Sequence, residues 1–229
     1  TQSRSSAASD VYKRQAVAAL RARKRRGDKP FAVMVADRES LDAIAGADDA
    51  ARRLLESPAR PIVLLPGRDA ALQEAVAPGN ALIGVMLPYT PLHHLLFDTG
   101  APRILVMTSG NLSDEPLCTR AEEAEDRLSG IADAFCHHDR RIHVACDDSV
   151  TRLVGAHAQP VRRSRGYAPL PVRLPIESPP LLAAGGELKT TAALAQGPQA
   201  WLSQHIGDTE NLETLHMLER TVDVPVSYT

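Results

Sequence analysis

Six basic side chains lie near the start of the sequence, directly before a continuous apolar run at residues 31–35. They are Arg21, Arg23, Lys24, Arg25, Arg26 and Lys29. A lysine offers a compact positive charge and an arginine a planar fork, and both suit the oxygens of a polyphosphate. Cations also stabilise the C-terminal end of a helix, so a solvated helix end is the alternative interpretation of this run.

A polar turn, Ser109-Gly110-Asn111, directly follows a second apolar run at residues 104–107. Ligands of open α/β sheets bind at the carboxyl ends of strands. Glycine lets the backbone approach a ligand closely, while serine and asparagine supply short donors and acceptors. The pattern predicts a binding turn, with an ordinary surface turn of the same favoured residues as the alternative.

Two later residues are candidates for an anion pocket. Ser149 follows the carboxylate pair Asp147 and Asp148, and Arg163 lies in a basic cluster at residues 162–165. We expect Ser149 to contact phosphate and Arg163 to close the pocket, with a surface cluster as the alternative for the arginine. The two carboxylates suit Mg²⁺ bound through water, but neighbouring side chains on a strand point to opposite faces, which favours a solvated turn.

Other reactive residue types lack the spacing of a known site. The histidine pairs at 93–94 and 137–138 have no thiol or carboxylate partner at ligand spacing, so we expect no metal site. The three cysteines, Cys118, Cys136 and Cys146, show neither a disulfide framework nor CxxC spacing. Ser109 lacks the GxSxG frame of a hydrolase nucleophile.

The composition is that of a folded domain. The chain has 229 residues, of which 44% are hydrophobic, 24% charged and 3% aromatic, so the core must consist mainly of aliphatic side chains. A formal net charge of -2 gives no global attraction to nucleic acid or membranes. No apolar run or leader pattern indicates a membrane span or secretion, and we expect a cytoplasmic protein without a membrane partner.

Strands and helices alternate in the first half of the sequence. Apolar runs predict strands at residues 31–35, 62–65, 82–87 and 104–107, with later strand candidates at 134–135, 142–144, 150–154 and 160–163. Helices are expected at residues 16–26, 48–57, 91–100 and from a capping box at Thr119 and Glu122 to residue 131. This order predicts an α/β fold: an open, twisted, mixed sheet with flanking helices.

The remaining sequence indicates a second, incomplete domain. Repeated prolines predict a linker at residues 172–180, since proline fits neither a helix interior nor a central strand. Strands at 181–184, 192–195 and 200–202 and a helix at 209–220 then begin a domain at residues 181–224. Residues 1–15 and 225–229 resemble translated adapter sequence, with a disordered natural tail as the alternative for the first. The main domain is therefore expected at residues 16–171.

Several blocks together resemble the hydrogenase-maturation carbamoyltransferase family, HypF. They are KRRGDKPFAVM (24–34), VMLPYTPLHHLL (85–96), TSGNLSDEP (108–116), HVACDDSV (143–150), RRSRGYAP (162–169), GGELKTT (185–191) and LSQHIGDTEN (202–211). The resemblance implies a YrdC-like ATP-binding domain followed by the first strands of a carbamoyl-transfer domain of the sugar-kinase/Hsp70 type. It implies carbamoyl-adenylate formation from ATP and carbamate or carbamoyl phosphate, with Mg²⁺ on the phosphates, and transfer of the carbamoyl group to the protein HypE. The family's Zn²⁺ sites belong to regions absent from this sequence.

The same resemblance implies roles for individual residues. Lys24 and Arg26 correspond to the lysine and arginine that engage ATP phosphates, and Ser109 and Asn111 to a turn that touches nucleotide and acyl group. Ser149 and Arg163 correspond to residues that complete the nucleotide pocket. Gly27 stands at the position where members of the resembled family often have a proline. A glycine-rich segment and strand of the family would lie upstream of residue 16, so we expect this chain alone to be poorly active.

Two other functions fit a YrdC-like domain. One is binding of double-stranded RNA, which the net charge of -2 and the few aromatic side chains disfavour. The other is threonylcarbamoyl-AMP synthesis for tRNA modification, which the blocks at residues 185–191 and 202–211 disfavour because the stand-alone relative has no such continuation.

Overall fold

The computed structural model describes residues 14–112, 115–209 and 212–226 of the chain. Two compact units emerge from the contacts within it. The first contains the described residues up to 108 together with residues 150–161, and the second contains residues 109–149 together with the chain from residue 162 onwards. Most of the predicted non-native ends, residues 1–13 and 227–229, lie outside the described part, and the predicted domain boundaries stay a prediction.

Helices and strands alternate in the first unit. After a helix α1 at residues 14–23, the order is β1 (Ala32–Val35), α2 (Arg38–Ile44), α3 (Asp49–Glu56), β2 (Ile62–Pro66), α4 (Ala70–Val76), β3 (Leu82–Met86), α5 (Pro91–Asp98), β4 (Ile104–Met107), β5 (Val150–Val154) and β6 (His157–Arg162). Each of the six strands belongs to one sheet in the order β4-β1-β3-β2-β5-β6. The expected mixed α/β fold is confirmed.

The strand β1 has neighbours of opposite direction. It pairs with β3 in parallel, Val33 opposite Val85, and with β4 in antiparallel fashion, Ala32 opposite Met107. The strand β2 is antiparallel to β3 and parallel to β5. Consequently β4 ends at the edge of the sheet where β1 begins, an arrangement that matters for the site described below.

The core of the first unit is almost entirely aliphatic, as the composition predicts. Val33, Val35, Val63, Val85 and Leu55 have no exposed surface. Phe31, at 2% exposure, is the large aromatic side chain in this cluster. Burial of each such side chain contributes roughly 1.5–3 kcal/mol.

Carboxylate caps begin three helices of this unit. The side chains of Asp37, Asp48 and Asp69 accept hydrogen bonds from backbone N–H groups in the first turns of α2, α3 and α4. Such caps satisfy donors that have no partner within the helix. The helix α3 was predicted, whereas α2 and α4 were not, because two turns show too little apolar periodicity.

The second unit contains one long hairpin and two helices. Its elements are α6 (Ala121–Leu128), β7 (Pro171–Ala184), β8 (Ala192–Leu202) and α7 (Leu212–Val226). The strands β7 and β8 form an antiparallel ribbon with register shifts near Ser178. The proline-rich stretch at 172–180 therefore forms strand structure rather than an irregular linker. In a two-stranded ribbon every strand is an edge, which tolerates residues without an N–H donor.

Two local predictions in this unit are wrong. The helix α6 begins after Arg120, which makes no side-chain cap, and the N–H of Thr119 donates to Glu123 at 3.3 Å instead of forming a capping box with Glu122. The short runs at 134–135 and 142–144 are not strands. Their apolar side chains are exposed, Ile142 by 46%, so burial does not favour pairing there. In the described part of the chain, no helix is both long and apolar enough for a membrane span.

Replacing Gly84 by valine is expected to destabilise the chain. A Cβ on Gly84, in the interior strand β3, would approach Cγ2 of Ile62 to 2.8 Å. Overpacking of this kind costs about 1–3 kcal/mol. Chemical denaturation measures the loss, and Gly46→Ala is the matched control because its Cβ would meet no atom closer than 3.8 Å. Equal stability of both variants would contradict the packing described here.

Candidate functional site

The basic run forms a tight turn between α1 and β1. The N–H of Lys24 donates to the carbonyl of Leu20 and that of Arg26 to the carbonyl of Arg21, so the helical path ends there. Arg25 and Gly27 then adopt left-handed backbone conformations, with φ of 49° and 53°. The side chain of Lys24 is 3% exposed, which is unusual for a lysine. We call residues 24–30 the basic turn.

Arg21 fixes the shape of the basic turn. Its guanidinium donates to the carbonyls of Gly27 at 2.6 Å and Lys29 at 2.9 Å, and to the carbonyl of Ala75 in α4 at 3.0 Å. The same group lies 4.7 Å from the centre of the Phe31 ring. Arg21 thus ties the turn both to the end of a helix and to the core, a role that the sequence did not reveal.

Arg26 contacts the same aromatic ring. Its guanidinium donates to the carbonyl of Pro30 at 2.9 Å and lies 5.1 Å from the centre of the Phe31 ring. A planar guanidinium held against an aromatic face has a fixed orientation. The turn therefore combines a nearly buried lysine with an arginine of fixed orientation.

The end of β4 lies at the same edge of the sheet as the basic turn. Met107, the last residue of β4, pairs with Ala32, the first residue of β1. The chain that continues as Thr108 therefore leaves the sheet where the basic turn enters it. In contrast, Val150 at the start of β5 pairs with Ile62, which lies at the opposite end of β2 from Pro66.

The polar turn after β4 is held by its own side chains. The hydroxyl of Ser109 donates to Oδ1 of Asn111 at 2.6 Å, and Nδ2 of Asn111 donates to the carbonyl of Glu115 at 2.6 Å. The N–H of Cys118 donates to the carbonyl of Gly110 at 2.9 Å. These bonds define the conformation of the turn and bring the predicted pair Ser109 and Asn111 together.

Ser149 holds two backbone segments together. Its hydroxyl accepts the N–H of Ser164 at 2.7 Å and donates to the carbonyl of Arg165 at 2.9 Å, and the side chain has no exposed surface. The single hydroxyl proton is used in this arrangement. The described contacts thus give Ser149 a structural role, while its predicted contact with phosphate stays a prediction.

Arg163 is directed at backbone carbonyls. Its guanidinium donates to the carbonyls of Tyr167 at 2.7 Å, Leu170 at 2.5 Å and Leu202 at 3.2 Å. Burial lowers the pKa of this guanidinium from its usual value. These bonds organise the segment before β7, and the expected role of Arg163 in a nucleotide pocket also stays a prediction.

The carboxylates before β5 are paired with arginines. Asp148 accepts from Nε of Arg165 at 2.6 Å, and Asp147 lies 3.7 Å from Nη1 of Arg162. The neighbouring thiol of Cys146 lies 3.3 Å from the hydroxyl of Ser164, and burial raises the pKa of this thiol. A raised pKa leaves less thiolate at neutral pH, which disfavours a nucleophile.

Further ligand space exists in the second unit. A cavity of about 930 Å³ is lined by apolar side chains of β8 and α7, such as Trp201 and Met217, and by Arg127 of α6. None of the six predicted site residues lines it. Among the described residues, no group of three or more histidines, cysteines or carboxylates is gathered for a metal ion.

The six predicted residues thus fall into three local arrangements. Lys24 and Arg26 share the basic turn, Ser109 and Asn111 share a hydrogen-bonded turn, and Ser149 fixes the N–H of the residue that follows Arg163. Their convergence on one nucleotide stays a prediction.

Two family models match the chain. The model for Sua5, YciO and YrdC, described as telomere recombination, matches residues 6–164, and the HypF Kae1-like domain matches residues 177–227. The chain is 45% identical to carbamoyltransferase HypF2 of Cupriavidus necator over 94% of its own length. It is 39% identical to a probable carbamoyltransferase HypF of Methanocaldococcus jannaschii over 89%. It spans 29% and 27% of the lengths of these two relatives.

Solved structures agree with these matches. A full-length HypF in a phosphate- and nucleotide-bound form superposes with a TM-score of 0.85 at 41% identity, covering 90% of this chain and 33% of that one. HypF of T. kodakarensis gives a TM-score of 0.86 at 38% identity, covering 92% of this chain and 28% of that one. A P. abyssi Sua5 structure, at 20% identity and a TM-score of 0.55, shares the fold over 68% of this chain and 44% of its own.

Replacing Arg21 by glutamine is expected to destabilise the basic turn. The change removes charge-assisted bonds to the carbonyls of Gly27 and Lys29 and the contact with Phe31. Each such bond contributes roughly 1.5–3 kcal/mol, although partial exposure of Arg21 reduces the effect. Thermal unfolding measures the loss against Arg23→Gln on the exposed face of α1. A melting temperature equal to that of the control would refute the role given to Arg21.

Replacing Ser149 by alanine is expected to cost about 1–3 kcal/mol of stability. The N–H of Ser164 would remain buried without the hydroxyl that accepts its hydrogen bond. Chemical denaturation measures the change, with Ser129→Ala as the control because Ser129 is exposed on the surface of the same unit. A loss no larger than that of the control would show that the hydroxyl is not structural.

Proposed function

This chain belongs to the Sua5, YciO and YrdC family, whose model matches residues 6–164, and we propose that, like the HypF carbamoyltransferases it resembles, it supplies the ATP-dependent activation step of carbamoyl transfer. In this proposal ATP and carbamate react to form carbamoyl-adenylate and pyrophosphate. The carbamate is supplied directly or is derived from carbamoyl phosphate. The chain spans 29% of the length of its Cupriavidus necator relative, and transfer to an acceptor is proposed for the whole protein.

The basic turn is the observation that carries this proposal. Lys24 is nearly buried, Arg26 is oriented against Phe31, and Arg21 holds the backbone that follows them at Gly27 and Lys29. Cations of fixed position suit the triphosphate of ATP better than mobile surface charges, because little reorganisation is needed when the ligand binds. Ser109 and Asn111, in the hydrogen-bonded turn after β4, are proposed as further contacts of the nucleotide.

The proposed reaction brings two anions together. A carbamate oxygen forms a bond to the α-phosphorus of ATP, and the bond from that phosphorus to the oxygen bridging to the β-phosphate breaks. The electron pair leaves with pyrophosphate. Lys24 and Arg26 would offset the charge of the phosphate oxygens and hold the in-line geometry, and each such group contributes on the order of 10²–10³ in rate.

Magnesium would be held mainly by the nucleotide in this proposal. The described residues offer no cluster of carboxylates for the ion. Mg²⁺ commonly keeps several waters and binds substrate phosphates with few protein ligands, and it would supply charge neutralisation there. Ser149 and Arg163 are proposed as further nucleotide contacts, although each also makes backbone hydrogen bonds that organise its own segment.

Carbamoyl transfer to HypE is the proposed fate of the adenylate. The basis is the match of residues 177–227 to the HypF Kae1-like domain. The same match favours this reaction over threonylcarbamoyl-AMP synthesis by a stand-alone YrdC-like protein. Binding of double-stranded RNA is the third candidate, which the formal charge of -2 disfavours.

Lys24→Ala is expected to abolish ATP–pyrophosphate exchange. Exchange dependent on carbamoyl phosphate is measured with this chain, and with the Cupriavidus necator relative carrying the equivalent change. We expect a loss of about 10²–10³ in rate because a phosphate-neutralising charge disappears. Arg23→Ala, which removes the exposed charge of the directly preceding residue at the end of α1, is expected to retain exchange.

Two results would contradict parts of this proposal. One is unchanged exchange in a folded Lys24→Ala variant of the relative, which would remove the phosphate role of Lys24; folding is checked by thermal unfolding because Lys24 is nearly buried. The other is exchange stimulated by threonine and bicarbonate rather than carbamoyl phosphate, which would assign the tRNA-modifying reaction. Salt-sensitive binding of double-stranded RNA without any exchange would instead favour the RNA-binding function.

A further inference from the structure

A cavity lies at the other edge of the sheet in the first unit. It has a volume of about 350 Å³ and is lined by Ala36, directly after β1, and by Leu87 and Pro88, directly after β3. Since β1 and β3 are parallel neighbours, their carboxyl ends meet at this edge. Open α/β sheets bind ligands at such ends. The basic turn enters at the opposite end of β1, so this cavity is separate from it.

Positive charge dominates the lining of this cavity. Arg38, Arg52 and Arg60 contribute guanidinium groups, and Asp37 and Glu56 contribute carboxylates. The Asp37 carboxylate is already engaged, because it accepts the N–H of Ser40 at 2.8 Å and forms an ion pair with Arg103. Glu56 is exposed to solvent. The lining therefore carries one more positive than negative charge, with Asp37 paired to Arg103 and Arg52 paired to Asp42.

Arg52 supplies the decisive group. Its Nη2 donates to Asp42, which lies on α2, and its side chain is 17% exposed. Its other terminal nitrogen, Nη1, is buried and has no hydrogen-bond acceptor among the described residues. Because Nη1 has almost no accessible surface, an oxyanion in the cavity would reach it only after a rotation of the fork, and the charge-assisted bond then formed would recover the cost of the missing acceptor. The ion pair with Asp42 holds the Nη2 side of the fork in place.

We propose that this cavity is a binding site for a phosphate group, with Arg52 as its central ligand and Arg60 as a second. The planar fork of an arginine matches the geometry of phosphate oxygens, which favours phosphate over a spherical anion such as chloride. The volume exceeds that of a single phosphate, so a phosphate monoester also fits. This site is independent of the proposed adenylation reaction.

Titration with phosphate tests the proposal. Inorganic phosphate and methyl phosphate are titrated separately into this chain by isothermal titration calorimetry at low ionic strength. We expect saturable binding of one equivalent, weakened about tenfold or more by Arg52→Gln because a charge-assisted bond is lost. Tighter binding of methyl phosphate than of inorganic phosphate would identify a phosphate monoester as the ligand. Tighter binding of inorganic phosphate would identify the free ion.

Arg53→Gln is the matched control for this test. Arg53 is the next residue of α3, is exposed and does not line the cavity, so its loss is expected to leave the affinity unchanged. If Arg52→Gln does not fold, Arg60→Gln, which leaves the pair of Arg52 with Asp42 intact, is expected to weaken binding in the same way. Binding is also expected to persist in Lys24→Ala.

Three results would overturn the proposal. The first is the absence of saturable phosphate binding by the folded chain. The second is an equal effect of the cavity variant and Arg53→Gln, which would indicate a general charge effect. The third is loss of phosphate binding in a folded Lys24→Ala variant, which would assign the phosphate to the basic turn instead.

Discussion

The register of β1 determines where both candidate sites of the first unit lie. This strand is only four residues long, yet it pairs in parallel with β3 and in antiparallel fashion with β4. Its first residue lies beside the end of β4 and follows the basic turn, and its last residue leads to the arginine-lined cavity. A shift of one residue in this pairing would exchange Val33 and Val35 with Met34 between the two buried faces of the sheet, so the packing of these side chains fixes both sites together.

Arginines in this chain divide between building the fold and offering charge to a ligand. Arg21 and Arg163 direct their N–H groups at backbone carbonyls, and both therefore act as structural cross-links. Arg52 directs one nitrogen at Asp42 and retains a second that has no acceptor among the described residues. The distinction depends on contacts rather than residue type, which is why composition and charge runs alone identify neither class.

Strands and helices that show as long apolar runs or clear periodicity were predicted correctly from the sequence. The apolar runs of β1 to β4 were correctly placed because each is continuous and ends at a turn residue. The helices α2 and α4 were missed because seven residues show barely two turns of periodicity. Arg21 appeared as one more cation in a basic run, because its acceptors are carbonyls, one of them 54 residues away in Ala75. Backbone acceptors leave no mark in the sequence, so no residue pattern predicts such a contact.

The two ends of β1 are far enough apart to act separately in electrostatic terms. Four residues at about 3.3 Å each separate the ends by roughly 13 Å, whereas the screening length at physiological ionic strength is about 8 Å. Where solvent reaches both the basic turn and the cavity, an anion bound at the basic turn would therefore change the affinity of the cavity for a second anion only weakly. Coupling between the ends would have to travel through movement of the strand itself, and β1 is held on both sides by paired neighbours. The sheet thus separates two cationic sites while fixing the position of each.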